Sequence, residues 1–129
     1  MSNKKEIFAV IGVSENPEKY GNKVFFSLKE SGKKVYPINP KYDFIESERC
    51  YKKISDLPEK PTTVITVIKP EVTRKIVKEC LEEGIKKVWL QPGSESEEAI
   101  NFCKENGIKV ITNACIMVNQ KGGKNEKNF

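Results

Sequence analysis

Short apolar runs alternate along the chain with longer amphipathic segments, a pattern typical of a protein in which strands and helices take turns. Residues 7–13 form a continuous apolar run, as expected for a central strand that is buried on both faces. Four further strands are predicted at residues 35–38, 63–68, 88–90 and 109–112. Helices are predicted over residues 19–31, from Pro70 onward, and from the capping-box pattern Ser94-x-x-Glu97 through Asn106.

One junction recurs three times, in the segments Gly32-Lys-Lys-Val35, Gly84-Ile-Lys-Lys-Val88 and Gly107-Ile-Lys-Val110. Each combines a glycine that ends a helix, lysine near the helix carboxyl end and the start of a strand. The repeated order predicts the α/β class: a three-layer, Rossmann-like sandwich with a mostly parallel sheet of about five strands. We expect one domain over residues 1–120 and a flexible tail over 121–129.

Two regions have a less regular pattern. Residues 42–60 are polar and rich in turn formers, with at most one short strand or helix predicted near residues 50–57. Pro37 indicates an end or an unpaired side of the second strand. The helix after Pro70 is predicted to place its apolar positions on one face, namely Val72, Ile76, Val77, Cys80 and Leu81.

The four cysteines are scattered singly and form no C-x-x-C pair, which favours reduced thiols and a cytoplasmic location. Cys80 and Cys103 fall on apolar helix faces, where we expect core packing. The longest uncharged apolar run, residues 7–13, is far shorter than a membrane span. We therefore expect a soluble protein that does not bind membranes.

Charge and composition exclude several classes of function. The formal net charge is +5, but Lys and Glu are interspersed and form no basic stripe of the kind that binds nucleic acid. The chain contains no histidine, which excludes His-based triads, His-ligated zinc and phosphohistidine chemistry. No metal site and no catalytic residue are predicted.

The loop from Gly12 to Tyr20 joins the first strand to the first helix, where backbone amides and the helix dipole attract a phosphate. Gly12 permits close approach, and Ser14 and Lys19 supply a hydroxyl and a cation. The loop is neither a P-loop nor G-x-G-x-x-G, because Pro17 and Ser14 stand where those motifs have glycine. The alternative is an ordinary turn in which Ser14 or Asn16 acts as a cap.

The end of the second strand discriminates among nucleotide ligands. An NAD site usually has Asp or Glu there, whereas this chain has Asn39-Pro40-Lys41. Lysine suits an additional phosphate, as in coenzyme A (CoA) or NADP. The alternative is that Lys41 is a solvated surface lysine.

Four motifs together resemble the small stand-alone CoA-binding proteins. Their domain is similar to the CoA-binding domain of the succinyl-CoA synthetase α-subunit and, more distantly, to redox-sensing Rossmann repressors. The resemblance covers about residues 5–118 and differs near residues 94–97 and 113–114. The motifs are Gly12-Val-Ser14 with Asn16-Pro-Glu-Lys19, Tyr36-Pro-Ile-Asn39-Pro40, Trp89-Leu-Gln-Pro-Gly93 and Asn113-x-Cys115-Ile.

The resemblance implies roles for residues after each strand. Those facing the phosphates would be Gly12, Val13, Ser14 and Lys19, with Tyr20 at the end of the same loop. Those holding the nucleotide end would be Asn39, Pro40 and Lys41. Those lining the wall and the pantetheine arm would be Ile68, Lys69, Pro70, Gln91 and Gly93, with Asn113 and Cys115 after the fifth strand.

Several of these residues also have purely structural interpretations. Lys69 could be a solvated lysine at a helix entry, and Asn113 could cap a turn. Trp89 is interpreted as core rather than as a stacking platform. Cys115 could form a mixed disulfide with the CoA thiol, but a buried cysteine at the end of a strand is the favoured interpretation.

The leading hypothesis is therefore a protein that binds CoA or an acyl-CoA and has no catalytic group of its own. One alternative is an NADP-linked oxidoreductase or an enzyme that handles acyl-CoA. The other is an interaction module that reports CoA or nucleotide levels to a protein partner. Resemblance to a domain of a ligase does not by itself transfer the ligase activity.

Overall fold

The computed structural model describes residues 6–117 of the 129-residue chain. Its elements are, in chain order, β1 (Ile7–Ile11), α1 (Tyr20–Glu30), β2 (Lys34–Ile38), β3 (Phe44–Ile45), β4 (Glu48–Arg49), β5 (Thr63–Thr66), α2 (Pro70–Glu82), β6 (Lys87–Leu90), α3 (Glu97–Glu105) and β7 (Lys109–Ile111). One 3-10 turn, Ile54–Asp56, precedes β5. The predicted helices and main strands are confirmed, with boundaries that differ by a few residues at most.

Five parallel strands form the main sheet in the spatial order β2-β1-β5-β6-β7. The order reverses at β1, because β2 lies on one side of it and β5 on the other. Helix α1 packs on one face of the sheet, and α2 and α3 pack on the other. The predicted three-layer, Rossmann-like sandwich is confirmed, and the edge position of β2 suits Pro37.

Strand β1 contributes to both hydrophobic cores, which explains its continuous apolar run. Phe8 and Val10 join the core under α1, whereas Ala9 and Ile11 join the core under α2 and α3. Cys80 and Cys103 are fully buried in this second core, as predicted. Each face of the sheet is thus sealed by its own set of helices.

Two expectations about the helices are wrong in detail. Helix α3 is capped by Ser96, whose hydroxyl accepts from the Ala99 N–H at 3.2 Å, and not by Ser94. Ser94 is instead buried, with its hydroxyl bonded to the Gln91 carbonyl oxygen at 2.8 Å. On α2, Val72 and Leu81 are 38% and 40% exposed, because they lie at the margins of the buried face rather than on it.

The polar stretch 42–60 is more ordered than its composition predicts. It forms the antiparallel hairpin β3–β4 and the 3-10 turn, and Tyr51 makes a parallel bridge with Ile38. Ile45 is buried in the core under α1, and Ile54 is buried in the core under α2 and α3. This stretch therefore wraps the edge of the sheet and reaches both cores.

The end of the predicted domain at residue 120 and the predicted tail over 121–129 lie outside the described residues. Among residues 6–117, no helix combines the length and the apolar character needed to cross a bilayer.

Candidate functional site

The carboxyl ends of β1, β2 and β5 meet where the strand order reverses, the usual ligand-binding position in open parallel sheets. Two glycines allow the chain segments to approach closely there. A Cβ on Gly12 would lie 2.3 Å from the Val67 carbonyl oxygen, and one on Gly21 would lie 2.2 Å from the Gly12 carbonyl oxygen. The ends of β1 and β5 and the first turn of α1 therefore converge on one point.

Helices α1 and α2 both begin at this edge of the sheet. Their N-cap residues are Lys19 and Lys69, and neither side chain caps its helix. The first turn of α1 also contains no acidic residue, whereas α3 has a capping serine and two acidic residues in its first turn. The amino end of α1 therefore presents its partial positive charge and its N–H groups uncompensated by a side chain.

The loop that precedes α1 is organised by its own polar side chains. The Ser14 hydroxyl accepts from the Asn16 N–H at 3.0 Å, and the Asn16 side-chain oxygen accepts from the Glu18 N–H at 2.9 Å. Buried Asn22 donates from its side chain to the Ser14 carbonyl oxygen at 2.8 Å. These bonds are those of an ordinary turn, so Ser14 and Asn16 shape the loop that leads into the helix.

A cavity of about 190 Å³, here called the β2-side cavity, opens beside the ends of β1 and β2. Its apolar walls are Ile11, Ile38, Ile54, Ile68, Val72 and Ile76. Its other lining residues are Gly12, Asn39, Pro40, Lys52, Lys53 and Glu79. It is an apolar slot with a few polar groups at its margin, as in small-molecule sites generally.

A second cavity of about 620 Å³, here called the β6-side cavity, lies on the other side of Ile68. Its lining residues are Tyr20, Val67, Ile68, Lys69, Pro70, Pro92, Gly93 and Ser94. Ile68 lines both cavities, so the two form adjoining parts of one edge of the sheet. An elongated ligand could therefore occupy both while passing the amino end of α1.

The wall of the β2-side cavity is fixed by Asn39 and Lys52. The Asn39 side chain donates to the Val13 carbonyl oxygen at 2.9 Å and accepts from the Lys41 N–H at 2.9 Å. The Lys52 ammonium donates to the Pro40 carbonyl oxygen at 3.1 Å and pairs with Asp43 at 3.0 Å. These bonds hold the loop after β2 against the loop after β1.

Tyr20, Gln91 and Cys115 form a polar cluster beneath the β6-side cavity. The Tyr20 hydroxyl lies 2.8 Å from the Cys115 sulfur, and the Gln91 amide donates to that sulfur at 3.4 Å. The Gln91 side-chain oxygen accepts from the Ile116 N–H at 2.8 Å. Burial, with the contact to Cys115, raises the pKa of Tyr20 well above its usual value, so the hydroxyl stays protonated.

The cluster shows that Gln91 and Cys115 are interior residues. Both are buried, and their bonds hold the segment after β7 against the sheet. Trp89 donates from its indole N–H to the Ala114 carbonyl oxygen at 2.8 Å and packs on the core under α1, in agreement with its interpretation as core. Asn113 is exposed, with a φ of 59° typical of a turn position.

The structure thus gathers part of the predicted set at the two cavities. The predicted residues that line a cavity are Gly12, Tyr20, Asn39, Pro40, Ile68, Lys69, Pro70 and Gly93. Those that line neither are Val13, Ser14, Lys19, Lys41, Gln91, Asn113 and Cys115. Lys19 and Lys41 are exposed beside the site, and Val13 is buried with its carbonyl oxygen bonded to Asn39.

Sequence reasoning missed Lys52, Lys53 and Glu79 as lining residues of the β2-side cavity. The two lysines lie in the weakly patterned stretch, and the bridge between Tyr51 and Ile38, with the bond from Lys52 to the Pro40 carbonyl oxygen, brings them beside β2. The available signal for Glu79 was its helical spacing from Val72 and Ile76, which places all three on one side of α2.

A further cavity of about 480 Å³ lies between α2 and α3, away from the strand ends. It is lined mainly by charged side chains, among them Arg74 and Glu98, which pair at 2.6 Å. Because it adjoins neither the strand ends nor the amino end of α1, we do not include it in the candidate site.

The chain matches the model of the CoA binding domain family over residues 6–121. An ADP-forming acetate–CoA ligase from Methanocaldococcus jannaschii is 36% identical over 103 residues, which are 80% of this chain and 14% of the ligase. A conserved hypothetical protein from Pyrococcus furiosus has a solved structure with a TM-score of 0.85 and 40% identity, covering 88% of this chain and 98% of that one.

A hypothetical protein from Pyrococcus horikoshii is similar in structure, with a TM-score of 0.87 and 33% identity over 92% of this chain and 84% of that one. The chain therefore spans a small part of the ligase but most of each of these two structures. The family match covers nearly the whole chain, and these findings show that the chain belongs to the CoA binding domain family.

Proposed function

We propose that the chain binds CoA, free or acylated, along the edge of the sheet where the strand order reverses. The observation that carries the proposal is the pair of adjoining cavities that share Ile68, in a chain of the CoA binding domain family. The nucleotide end would occupy the β2-side cavity, and the pantetheine arm would occupy the β6-side cavity. Together the cavities suit an elongated ligand with a ring system at one end.

The phosphates of CoA would lie between the cavities, facing the amino end of α1. The uncapped N–H groups of that helix and its dipole favour an anion there, and the exposed cation of Lys19 adds to the attraction. The 3′-phosphate of the nucleotide would lie near Lys52 and Lys53 at the margin of the β2-side cavity. Lys41, exposed in the same loop, would contribute from outside the cavity.

The proposed role is binding rather than ligation. The relative from Methanocaldococcus jannaschii is an acetate–CoA ligase, and this chain spans 14% of its length. The side chains at the two cavities supply apolar walls, cations and one carboxylate, a combination suited to holding CoA. We therefore propose a CoA-binding domain without a catalytic group of its own.

Calorimetric titration of the purified chain with CoA, dephospho-CoA, NADP and NAD tests the proposal. We expect saturable binding of CoA, weaker binding of dephospho-CoA and weaker still of NAD. Replacing Lys53 by Met should reduce the preference for CoA over dephospho-CoA several-fold. The control is Lys86→Met, because Lys86 is exposed and directly precedes β6, at the amino ends of the strands and away from both cavities.

Two results would contradict the proposal. Absence of saturable CoA binding below about 1 mM, equivalent to roughly 4 kcal/mol, would exclude specific recognition of CoA. NADP binding tighter than CoA binding would instead favour the oxidoreductase alternative.

A further inference from the structure

The β2-side cavity contains one acidic side chain, Glu79 of α2. We propose that the Glu79 carboxylate recognises the exocyclic amino group of the adenine ring of CoA and so makes the site specific for an aminopurine. This inference rests on the proposed function, because it assigns the cavity to the nucleotide end of CoA.

The size and walls of the cavity suit a single ring system. Its volume of about 190 Å³ lies below the roughly 300–1,000 Å³ of pockets that enclose a whole drug-sized ligand. Ile38 comes from the end of β2, Ile68 from the loop after β5, and Val72 and Ile76 from α2, so a flat ring in the cavity would contact apolar side chains from three segments. A planar base therefore fits better than a charged phosphate or a sugar.

Helix α2 places Glu79 on the same side as two of these apolar residues. Val72, Ile76 and Glu79 follow one another at spacings of four and three residues, which aligns them along one stripe of a helix. Because α2 begins at the strand ends where the ligand would enter, Glu79 lies deeper than Val72 by about two turns, roughly 10 Å along the helix. A base that enters from the edge would thus meet the carboxylate last, with the end of its ring.

The carboxylate is oriented by the chain and retains capacity to accept hydrogen bonds. Its Oε2 atom accepts from the backbone N–H of Ile54 at 3.1 Å. An ionised carboxylate has about four acceptor positions, so one bond leaves others for a donor in the cavity. The amino group of adenine is such a donor, whereas the keto group of hypoxanthine is an acceptor and would face the carboxylate unfavourably.

The surroundings of Glu79 make an additional donor favourable. Burial is the main cause that raises its pKa, and the neighbouring charges of Glu82 and Glu83 act in the same direction. The Ile54 N–H and the charge of Lys53 act in the opposite direction. A hydrogen bond from the ligand would stabilise the charged form further, because charge-assisted bonds are stronger than neutral ones.

The test compares CoA with the analogue in which hypoxanthine replaces adenine, by calorimetric titration of the full chain. We expect the wild-type chain to bind CoA at least about tenfold more tightly than the analogue, because the analogue leaves two acceptors facing each other. In Glu79→Gln the side-chain oxygen can keep the Ile54 bond while the amide N–H faces the cavity. That variant should lose the preference or reverse it.

The control variant is Glu82→Gln, which removes a charge from the same helix at an exposed position and should keep the wild-type preference. If Glu79 only anchors the 3-10 turn, Glu79→Gln would leave the ratio of the two affinities as it is in the wild type, and the inference is overturned. Equal wild-type affinity for the two ligands also overturns it, and needs no variant. Failure of the wild-type chain to bind either ligand would instead contradict the proposed function itself.

Discussion

Gly12 and Gly21 allow three chain segments to meet at the point where the strand order reverses. Gly12 has a φ of 101°, and its position leaves no space for a Cβ beside the Val67 carbonyl oxygen. Gly21 packs in the same way on the Gly12 carbonyl oxygen. The position of the amino end of α1 relative to β1 and β5 therefore depends on the absence of a Cβ atom at Gly12 and Gly21.

Replacing Gly12 by Ala should destabilise the fold strongly. The positive φ costs about 1–2 kcal/mol, and overpacking against the Val67 carbonyl adds about 1–3 kcal/mol. Gly32→Ala is the matched control, because Gly32 also has a positive φ, 84°, but has open space around it. Urea unfolding should show a clearly larger loss of unfolding free energy for Gly12→Ala than for Gly32→Ala. Equal losses in the two variants would contradict the close approach of Gly12 to the Val67 carbonyl oxygen.

Cys80 and Cys103 should be unreactive in the folded chain. Both are fully buried, and burial raises the pKa of the Cys103 thiol to about 11 and that of Cys80 further. At about pH 8 roughly one in a thousand Cys103 thiols would be ionised, compared with about a quarter of unperturbed thiols.

Alkylation with iodoacetamide followed by peptide mass spectrometry measures this reactivity. Both cysteines should become labelled only after unfolding in urea. Labelling of either in the native chain at the rate of a free peptide thiol would show that the core under α2 and α3 is open.

At the residue scale, predicted residues line the two cavities where motif and fold agree. Four of them lie one or two residues after the end of a strand, so the parallel sheet alone brings them together; these are Gly12, Asn39, Pro40 and Ile68. Lys52 comes from the stretch that wraps the sheet, and its position depends on packing that periodicity does not encode. Glu79 shares the helical spacing of Val72 and Ile76, but spacing alone does not show that this side of α2 lines a cavity. Gln91 belongs to one of the motifs, yet its side chain is buried, where it accepts a hydrogen bond from the backbone N–H of Ile116.

At the scale of elements, helix α2 contributes both to the hydrophobic core and to the wall of the β2-side cavity. Its buried face joins the core with Val77 and Cys80, while its margins expose Val72 and Leu81 to similar extents. Val72 lines the β2-side cavity, whereas Leu81 lies near the other end of the helix. The exposed valine is therefore explained by the proposed ligand, because bound CoA would cover it.

Substituting Val72 by Ser should weaken CoA binding several-fold with little change in stability. The substitution removes apolar surface that the base would bury, at about 25 cal/mol per Å². Leu81→Ser is the matched control, since it removes a comparably exposed apolar side chain from the same helix without touching either cavity. Calorimetry gives the affinities and thermal unfolding the stabilities. Equal affinity losses in the two variants would place the ligand elsewhere.

The elements themselves were predictable where apolar runs are long. Strand β1 and helix α1 were located to within about two residues, and helix α2 begins at Pro70 as predicted, because Gly or Pro lies at these boundaries. The hairpin β3–β4 was not predicted, because strands of two residues have no periodicity to detect. Ser94 was mistaken for the cap of α3 because Ser94 and Ser96 both precede acidic residues, and only packing shows which one is buried.

At the scale of the whole molecule, the crossovers of the sheet determine where a ligand can bind. Where the strand order reverses at β1, the chain continues from β1 and from β5 to opposite faces of the sheet, which leaves a crevice beyond the carboxyl ends of these strands. Both the β2-side and the β6-side cavities lie along this crevice, and the amino ends of α1 and α2 lie beside it. Under the proposed function, the lysines that lie beside these cavities would supply the positive charge that faces the phosphates of CoA.

The central claim is that CoA binds along this edge, and amide chemical-shift mapping tests it most directly. Titrating CoA into the isotope-labelled chain should shift the amide signals of Gly12, Gly21, Asn39, Ile68 and Gly93. The amides of Asn101 and Phe102, in the cavity between α2 and α3, should stay unchanged. Shifts concentrated at Asn101 and Phe102, with none at the strand ends, would contradict the claim.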